Sequence, residues 1–162
     1  MKTLTVGFSR SSEKIALFSR LIMLVQRTNY SHCYLKYTDQ NTNKDMVFQA
    51  SGLQVNSVGY PFFLSKEVVV KEFQLNISDE AFQNIMGSMQ DLLGQPYSML
   101  QILNTGLYLL TGKSLLDKYI VGWDCVKIVA MELEKELGYK IPENLDVITP
   151  KDLMQFLEST NG

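Results

Sequence analysis

The stretch T-N-Y-S-H-C-Y-L, residues 28–35, marks a change in the hydrophobic pattern from a helical period to a strand period. Before it, apolar residues recur at three- and four-residue spacing and predict an amphipathic helix over residues 13–27, which Asn29 is expected to end. After it, the alternating, tyrosine-rich run over residues 31–37 is typical of a β-strand. The chain therefore passes directly from a helix into a strand that carries its one histidine, His32.

Further strands are predicted on both sides of this stretch. At the start of the chain, Leu4, Val6 and Phe8 alternate and share one face. Beyond it, residues 46–50 and 68–75 have the apolar, β-branched composition of strands.

Helices dominate the second half of the sequence. Asp124 can cap a helix over residues 125–137, and Gly138 supplies its left-handed stop. The other helices are expected to begin at Ser78, within residues 95–122 and at Pro150. Because most strands precede most helices, the sequence predicts an α+β fold, with an antiparallel sheet or half-barrel packed against helices. We expect one domain over residues 1–162.

Composition excludes several classes of protein. The 162 residues are 46% hydrophobic and 20% charged, which is enough to bury a core of their own. The formal net charge of −2 and the scattered lysines and arginines argue against nucleic-acid binding through phosphate neutralisation. The most apolar run, residues 97–110, contains Gln101 and Asn104 and is too short for a membrane span, so no stable membrane insertion is expected.

The start of the chain predicts a cytoplasmic protein. Residues 1–10 contain neither a long apolar run nor a small-residue cleavage site, so we find no signal peptide. In a reducing compartment the two cysteines, Cys33 and Cys125, would persist as thiols.

Cys125 is a candidate nucleophile because of its position. At the N-terminus of a helix, exposed N–H groups and the helix dipole favour an anion, and they should lower the pKa of a thiol. The alternative is a buried structural cysteine.

His32 is a candidate base on less specific grounds. Strand alternation places it on the same face as Tyr34 and turns Cys33 away from it. A lone histidine on a strand is also common as a hydrogen-bonded or surface residue. One histidine and two cysteines without C-x-x-C spacing make a poor metal site, so neither metal nor cofactor is expected.

Several short motifs occur in an order that resembles the circularly permuted papain-like cysteine hydrolases of the NlpC-type superfamily. They are G-F-S-R-S-S at 7–12, T-N-Y-S-H-C-Y-L at 28–35, V-F-Q-A-S-G at 47–52, L-L-G-Q-P-Y at 92–97, W-D-C-V-K-I-V-A at 123–130 and T-P-K-D-L at 149–153. The histidine precedes the cysteine, as the permutation requires.

The resemblance implies roles for five residues. Cys125 would be the nucleophile and His32 the general base, and the group that orients the imidazole would fall at Gln49. Tyr97 and Trp123 would line the substrate cleft, although both could instead pack in the core.

The function implied is a thiol-dependent hydrolase or acyltransferase that cleaves an amide, ester or thioester bond. Its substrate would be a peptide, a cell-wall peptide or an acyl compound. Since no signal peptide is found, a cell-wall role would require release by lysis or a phage-encoded protein within a bacterial host. Residues 99–110 could form an acyl pocket or a buried helix.

Two alternatives stay open. The first is a catalytically silent binding module on the same fold, which Gln49 and Val126 favour because the family often has a carboxylate and a small polar residue there. The second is an ordinary interaction domain, in which His32 and Cys125 would lie far apart.

Overall fold

The structure, a computed structural model, describes residues 1–13, 17–113, 122–142 and 144–160. Within these residues the strands form one antiparallel sheet in the order β4-β3-β2-β1-β5. The strands are β1 (Lys2–Ser11), β2 (His32–Asp39), β3 (Lys44–Ser51), β4 (Gln54–Gly59) and β5 (Glu67–Ile77).

Helices connect and cover the sheet. In the described part of the chain they are α1 (Leu17–Gln26), α2 (Tyr60–Lys66), α3 (Asp79–Leu92), α4 (Met99–Thr111), α5 (Cys125–Leu137) and α6 (Pro150–Thr160). The predicted α+β class and antiparallel sheet are confirmed. The predicted first helix is described from Leu17, and its residues 14–16 lie outside the described part.

The predicted helix signals correspond to observed caps. The Ser78 side chain accepts a hydrogen bond from the N–H of Ala81 at the start of α3. Asp124 caps α5, and Gly138 ends that helix in the left-handed conformation. The boundaries of α5 are therefore those predicted from the sequence.

The main core lies between the sheet and α3, α5 and α6. The three apolar residues predicted on one face of β1, Leu4, Val6 and Phe8, are fully buried in it. On the opposite face, Tyr34, Val47 and Phe63 form a small second cluster beneath α2. Both faces of the sheet are thus covered at β1 and β2, and α5 is packed against β2 and β3.

Two elements were not predicted, β4 and α2. Strand β4, Q-V-N-S-V-G, lies at the edge of the sheet, and most of its side chains are polar. Helix α2 has only seven residues and gives no helical period. Weak periodicity accounts for both omissions.

None of the helices in the described ranges is long and apolar enough to cross a membrane.

Gly7 is required at a close contact between β1 and β2. It is paired with Tyr34 across β1 and β2, and the Tyr34 ring lies over it. A Cβ at position 7 would lie 2.1 Å from the Cζ atom of that ring. The ring is fully buried, contacts Phe63 and donates to Glu72 at 2.9 Å, so it has little freedom to move.

Gly7→Ala is therefore expected to reduce the free energy of unfolding by about 1–3 kcal/mol, the usual cost of overpacking. Urea denaturation measures the change. Gly87→Ala is the matched control, because Gly87 lies on the exposed side of α3 with free space around it. That variant should gain up to about 1 kcal/mol from helix propensity. Equal stability of Gly7→Ala and the unmodified protein would contradict the packing described.

Candidate active site

Cys125 is the first residue of α5. The Asp124 carboxylate before it caps the helix by accepting the N–H of Lys127 at 2.7 Å. This leaves Cys125 in the first turn, where the helix dipole and the N–H groups favour a negative charge. Only 6% of Cys125 is exposed.

His32 is the first residue of β2, at an end where the sheet opens. Pairing of β2 with β1 continues to His32, which lies opposite Ser9. Pairing of β2 with β3 stops earlier, at Leu35 and Phe48. Beyond Leu35 and Phe48, β2 and β3 are connected through side chains instead of backbone pairing. His32 Nε2 lies 2.8 Å from Gln49 Oε1.

A chain of side-chain hydrogen bonds determines which nitrogen of His32 faces Gln49 and which is left for Cys125. Asn56 Nδ2 donates to the carbonyl oxygens of Ser51 and Gln54, at 3.3 and 3.2 Å, so Asn56 Oδ1 is left to accept. Gln49 Nε2 donates to that oxygen at 3.3 Å, which turns Gln49 Oε1 toward the imidazole. Because Oε1 can only accept, His32 Nε2 must donate, and Nδ1 remains for Cys125.

The imidazole and the thiol shift each other's pKa in opposite directions. Burial lowers the pKa of His32, but the negative charge of Cys125, a hydrogen bond with it, the charge of Glu67 and the Gln49 bond outweigh burial. The pKa of His32 is raised to about 9. The pKa of Cys125 is held well below its ordinary value. Both shifts favour the thiolate–imidazolium form of the pair over the neutral form.

Cys33 supports the thiolate, a role that sequence reasoning missed. A hydrogen bond from its side chain is the largest cause of the low pKa of Cys125, ahead of burial, which opposes it, and the charge of His32. Burial raises the pKa of Cys33 itself, so its thiol stays protonated and can donate. Strand alternation predicted that Cys33 turns away from His32, so nothing in the sequence indicated that both residues act on the same thiol.

Replacing Cys33 with alanine is expected to raise the pKa of the Cys125 thiol, because the donor to the thiolate is lost. Cys33→Ser retains a donor and should shift that pKa less. Ultraviolet absorbance of the thiolate, followed across pH, measures both variants, and circular dichroism checks their folding. An unchanged titration in Cys33→Ala would mean that Cys33 does not act on Cys125.

The family that the sequence resembles often has a carboxylate at the position of Gln49. In this chain a carboxylate acts on His32 from a different strand. Glu67, the first residue of β5, accepts a hydrogen bond from Ser9 Oγ at 2.8 Å, and Ser9 is the cross-strand partner of His32. Its negative charge contributes to the raised pKa of His32. No local pattern marks Glu67, because its proximity to His32 depends on how the strands pair.

Asp124 places a second titratable group beside the thiol. It is buried, and burial followed by the charge of Cys125 raises its pKa to about 7, against the opposing effect of its hydrogen bonds to backbone N–H groups. This shift favours the protonated form of the helix cap, which carries no charge to repel the thiolate.

A pocket of about 230 Å³ opens beside Cys125 between α1 and α4. Of the two predicted cleft residues, Tyr97 lines it. Trp123 is not among the described residues that line it, and it packs against the main core. Burial, and then the charges of Cys125 and Asp124, raise the pKa of Tyr97, so its hydroxyl stays protonated at neutral pH.

Backbone contacts fix this wall of the pocket. The N–H of Tyr97 donates to the carbonyl of Leu53 at 3.0 Å, and the N–H of Trp123 donates to Pro96 at 3.0 Å. Residue 122 must be glycine for its backbone to lie this close to Pro96. Gly122 has φ +105°, and a Cβ added there would lie 2.4 Å from the Pro96 carbonyl oxygen. The chain entering α5 is thus held against the segment that carries Tyr97.

In the described ranges, no three His, Cys, Asp or Glu side chains are grouped so that they could hold a metal ion.

Comparison with known proteins gives a fold but no family. No family model matches the chain, and no curated protein matches it. Among solved structures, it resembles the metalloprotein yiiX from Escherichia coli O157:H7, with a TM-score of 0.53 and 19% sequence identity. The similarity covers 94% of this chain and 91% of that chain. At this identity the resemblance shows a shared fold alone.

Proposed function

We propose that this chain is a permuted papain-like thiol hydrolase or acyltransferase that cleaves an amide, ester or thioester bond. Cys125 is the nucleophile, His32 the general acid and base, and Gln49 the residue that orients the imidazole. One observation carries the proposal. The chain's one histidine is held by Gln49 at Nε2, while a thiolate on a helix N-terminus raises its pKa.

The chemistry follows from this ion pair. The Cys125 thiolate attacks the carbonyl carbon of the substrate, and the carbonyl electron pair moves to oxygen. The backbone N–H of Cys125 at the helix start is the proposed donor to that oxyanion. When the bond to the leaving group breaks, His32 gives its Nδ1 proton to the amine, alkoxide or thiolate that departs.

The resulting thioester on Cys125 is then released. Neutral His32 takes a proton from water, or from an acceptor alcohol or amine, as that nucleophile attacks the acyl carbon. The acyl group leaves as an acid or as a new ester or amide, and the thiolate and imidazolium are restored. Hydrolysis and transfer differ only in this second nucleophile.

Gln49 is compatible with this role. Its oxygen accepts from the ring N–H, and its amide nitrogen is occupied by Asn56, so the ring has a defined orientation. A neutral amide stabilises the imidazolium less than a carboxylate would. The charge of Glu67, on β5 at the other side of β1, partly compensates for this difference.

Trapping the acyl-enzyme tests the proposal. The protein is mixed with p-nitrophenyl acetate, and a burst of p-nitrophenolate and an acetyl mass increment on the Cys125 peptide are expected. Cys33→Ser is the control, and Cys125 should still be acylated in that variant. Cys125→Ala should show neither the burst nor the increment at that peptide. If unmodified Cys125 is not acylated, or is acylated equally fast in His32→Ala, the proposal fails and a silent binding module takes its place.

A further inference from the structure

The chain's two cysteines lie against each other at the candidate active site. Cys33 is the second residue of β2, and Cys125 is the first residue of α5, which packs on that strand. The side chain of Cys33 forms a hydrogen bond with Cys125, and the backbone N–H of Cys33 also donates to the Cys125 sulfur. Both residues are free thiols buried in the main core. A second thiol is thus positioned directly beside the nucleophile.

The two thiols differ in the property that makes a cysteine reactive. The hydrogen bond from Cys33, followed by the charge of His32, holds the pKa of Cys125 well below its ordinary value, whereas burial raises the pKa of Cys33. Peroxides oxidise the thiolate, so Cys125 is the cysteine that reacts first. Cys125 also lines the pocket between α1 and α4, through which a molecule as small as hydrogen peroxide can reach it.

We propose that Cys125 and Cys33 form a reversible disulfide when the protein meets hydrogen peroxide, with Cys125 as the residue that is oxidised and Cys33 as the residue that resolves it. The modification needs the thiolate but no acyl transfer, so it is a property beyond the proposed function. While the disulfide lasts, the sulfur of Cys125 cannot act as a nucleophile. The bond also prevents further oxidation to sulfinic acid, which dithiols do not reverse.

The oxidation takes place in two steps. The Cys125 sulfur attacks one oxygen of the peroxide, the O–O bond breaks, and Cys125 becomes a sulfenic acid. The hydroxide that leaves takes the imidazolium proton of His32 and becomes water. Cys33 then attacks the Cys125 sulfur, the S–O bond breaks, and the Cys33 proton leaves with the hydroxyl as a second water. Two thiols are thereby oxidised to a disulfide, and one peroxide is reduced to two waters.

Both cysteines lie where the backbone can adjust to the new bond. A disulfide requires the two sulfurs to approach to about 2 Å, closer than a hydrogen bond between them allows. Cys125 begins its helix, and Cys33 lies beyond Leu35 and Phe48, where the pairing of β2 with β3 has stopped. The backbone is therefore held on fewer sides at these two positions than in the middle of α5 or β2.

Peptide mapping without reductant tests the inference. After treatment with hydrogen peroxide, the peptides that contain Cys33 and Cys125 should be joined, with a combined mass lower by two hydrogen atoms. Alkylation of Cys125 by iodoacetamide should be lost at the same time, and dithiothreitol should restore it. Electrophoresis without reductant should show a monomer, because the bond lies within one chain.

Two matched variants separate the roles of the cysteines. In Cys33→Ser no disulfide can form within the chain, so Cys125 should gain two oxygen atoms as sulfinic acid and stay unreactive after dithiothreitol. In Cys125→Ser, Cys33 should remain an unmodified thiol under the same treatment, because burial raises its pKa. Circular dichroism checks that both variants are folded, and the result for the unmodified protein does not depend on them.

The outcomes for the unmodified protein decide the inference. It is overturned if Cys125 reaches sulfinic acid without a disulfide, if the disulfide joins only separate chains, or if peroxide leaves Cys125 unchanged. Acylation of reduced Cys125 by p-nitrophenyl acetate, without a disulfide after peroxide, would remove the redox pair and leave the proposed function. A disulfide in a protein whose Cys125 is never acylated would leave the redox pair and remove the proposed catalysis.

Discussion

His32→Ala is expected to reduce kcat/KM for an alkyl ester, whose leaving alkoxide needs a proton, by about 10²- to 10⁴-fold. The substitution removes both the cation that lowers the pKa of Cys125 and the proton donor for the leaving group. Cys125→Ala should reduce the rate at least as far, and the double variant should be no slower than Cys125→Ala alone, because the two residues act as one unit. Steady-state kinetics on the three variants measure this non-additivity.

The control for these variants is Gln49→Ala. Gln49 touches the imidazole but not the reacting atoms, so its loss should lower the rate less than the loss of His32. Additive losses for His32→Ala and Cys125→Ala in the double variant would contradict a shared mechanism.

The pH profile of kcat/KM for the same alkyl ester is expected to be bell-shaped, with its alkaline limb near pH 9. The pKa of His32 is raised from 6.5 to about 9, so the imidazole keeps its proton through neutral pH and loses it as the pH rises through 9. Above that value the leaving group has no proton donor, and kcat/KM should fall about tenfold per pH unit. On the acid side, the rate should fall only where the thiolate is protonated, well below the ordinary pKa of a cysteine.

Glu67→Gln provides the matched test of the alkaline limb. Its negative charge helps to raise the pKa of His32, so the neutral variant should move the limb to lower pH. The amide can still contact Ser9 Oγ, which preserves the packing at the strand end. An alkaline limb that stays in place would mean that it reports a group other than His32.

Local signals explain which elements could be predicted from the sequence. Helix α5 was predicted with its correct ends because Asp124 and Gly138 act on their own neighbours. Strand β1 was predicted because Leu4, Val6 and Phe8 alternate into the core. Strand β4 was missed because an edge strand can be largely polar without losing its backbone pairing.

The supporting residues of the site depend on strand pairing and could not be predicted. His32 and Cys125 were singled out by position and family resemblance, and the structure brings them together. Cys33, Asn56 and Glu67 act on that pair because β2 lies against α5, β4 pairs with β3, and β5 pairs with β1. None of these relations is visible in the spacing of residues.

The orientation of α4 could not be predicted either. The apolar run over residues 99–110 predicted either a buried helix or an acyl pocket, and hydrophobicity alone does not show which side chains face inward. In the structure Gln101 and Asn104 are buried, while Leu103 and Leu109 are partly exposed. Tertiary packing decides that orientation.

The most direct test of the thiolate–imidazolium pair is the alkylation rate of Cys125 by iodoacetamide across pH, read by mass spectrometry of the Cys125 peptide so that Cys33 can stay in place. We expect Cys125 in the unmodified protein to react with an apparent pKa well below the usual value of about 8.5, and His32→Ala to move that pKa back toward it. An ordinary profile in both proteins, or an inert thiol in both, would contradict the ion pair and with it the proposed catalysis.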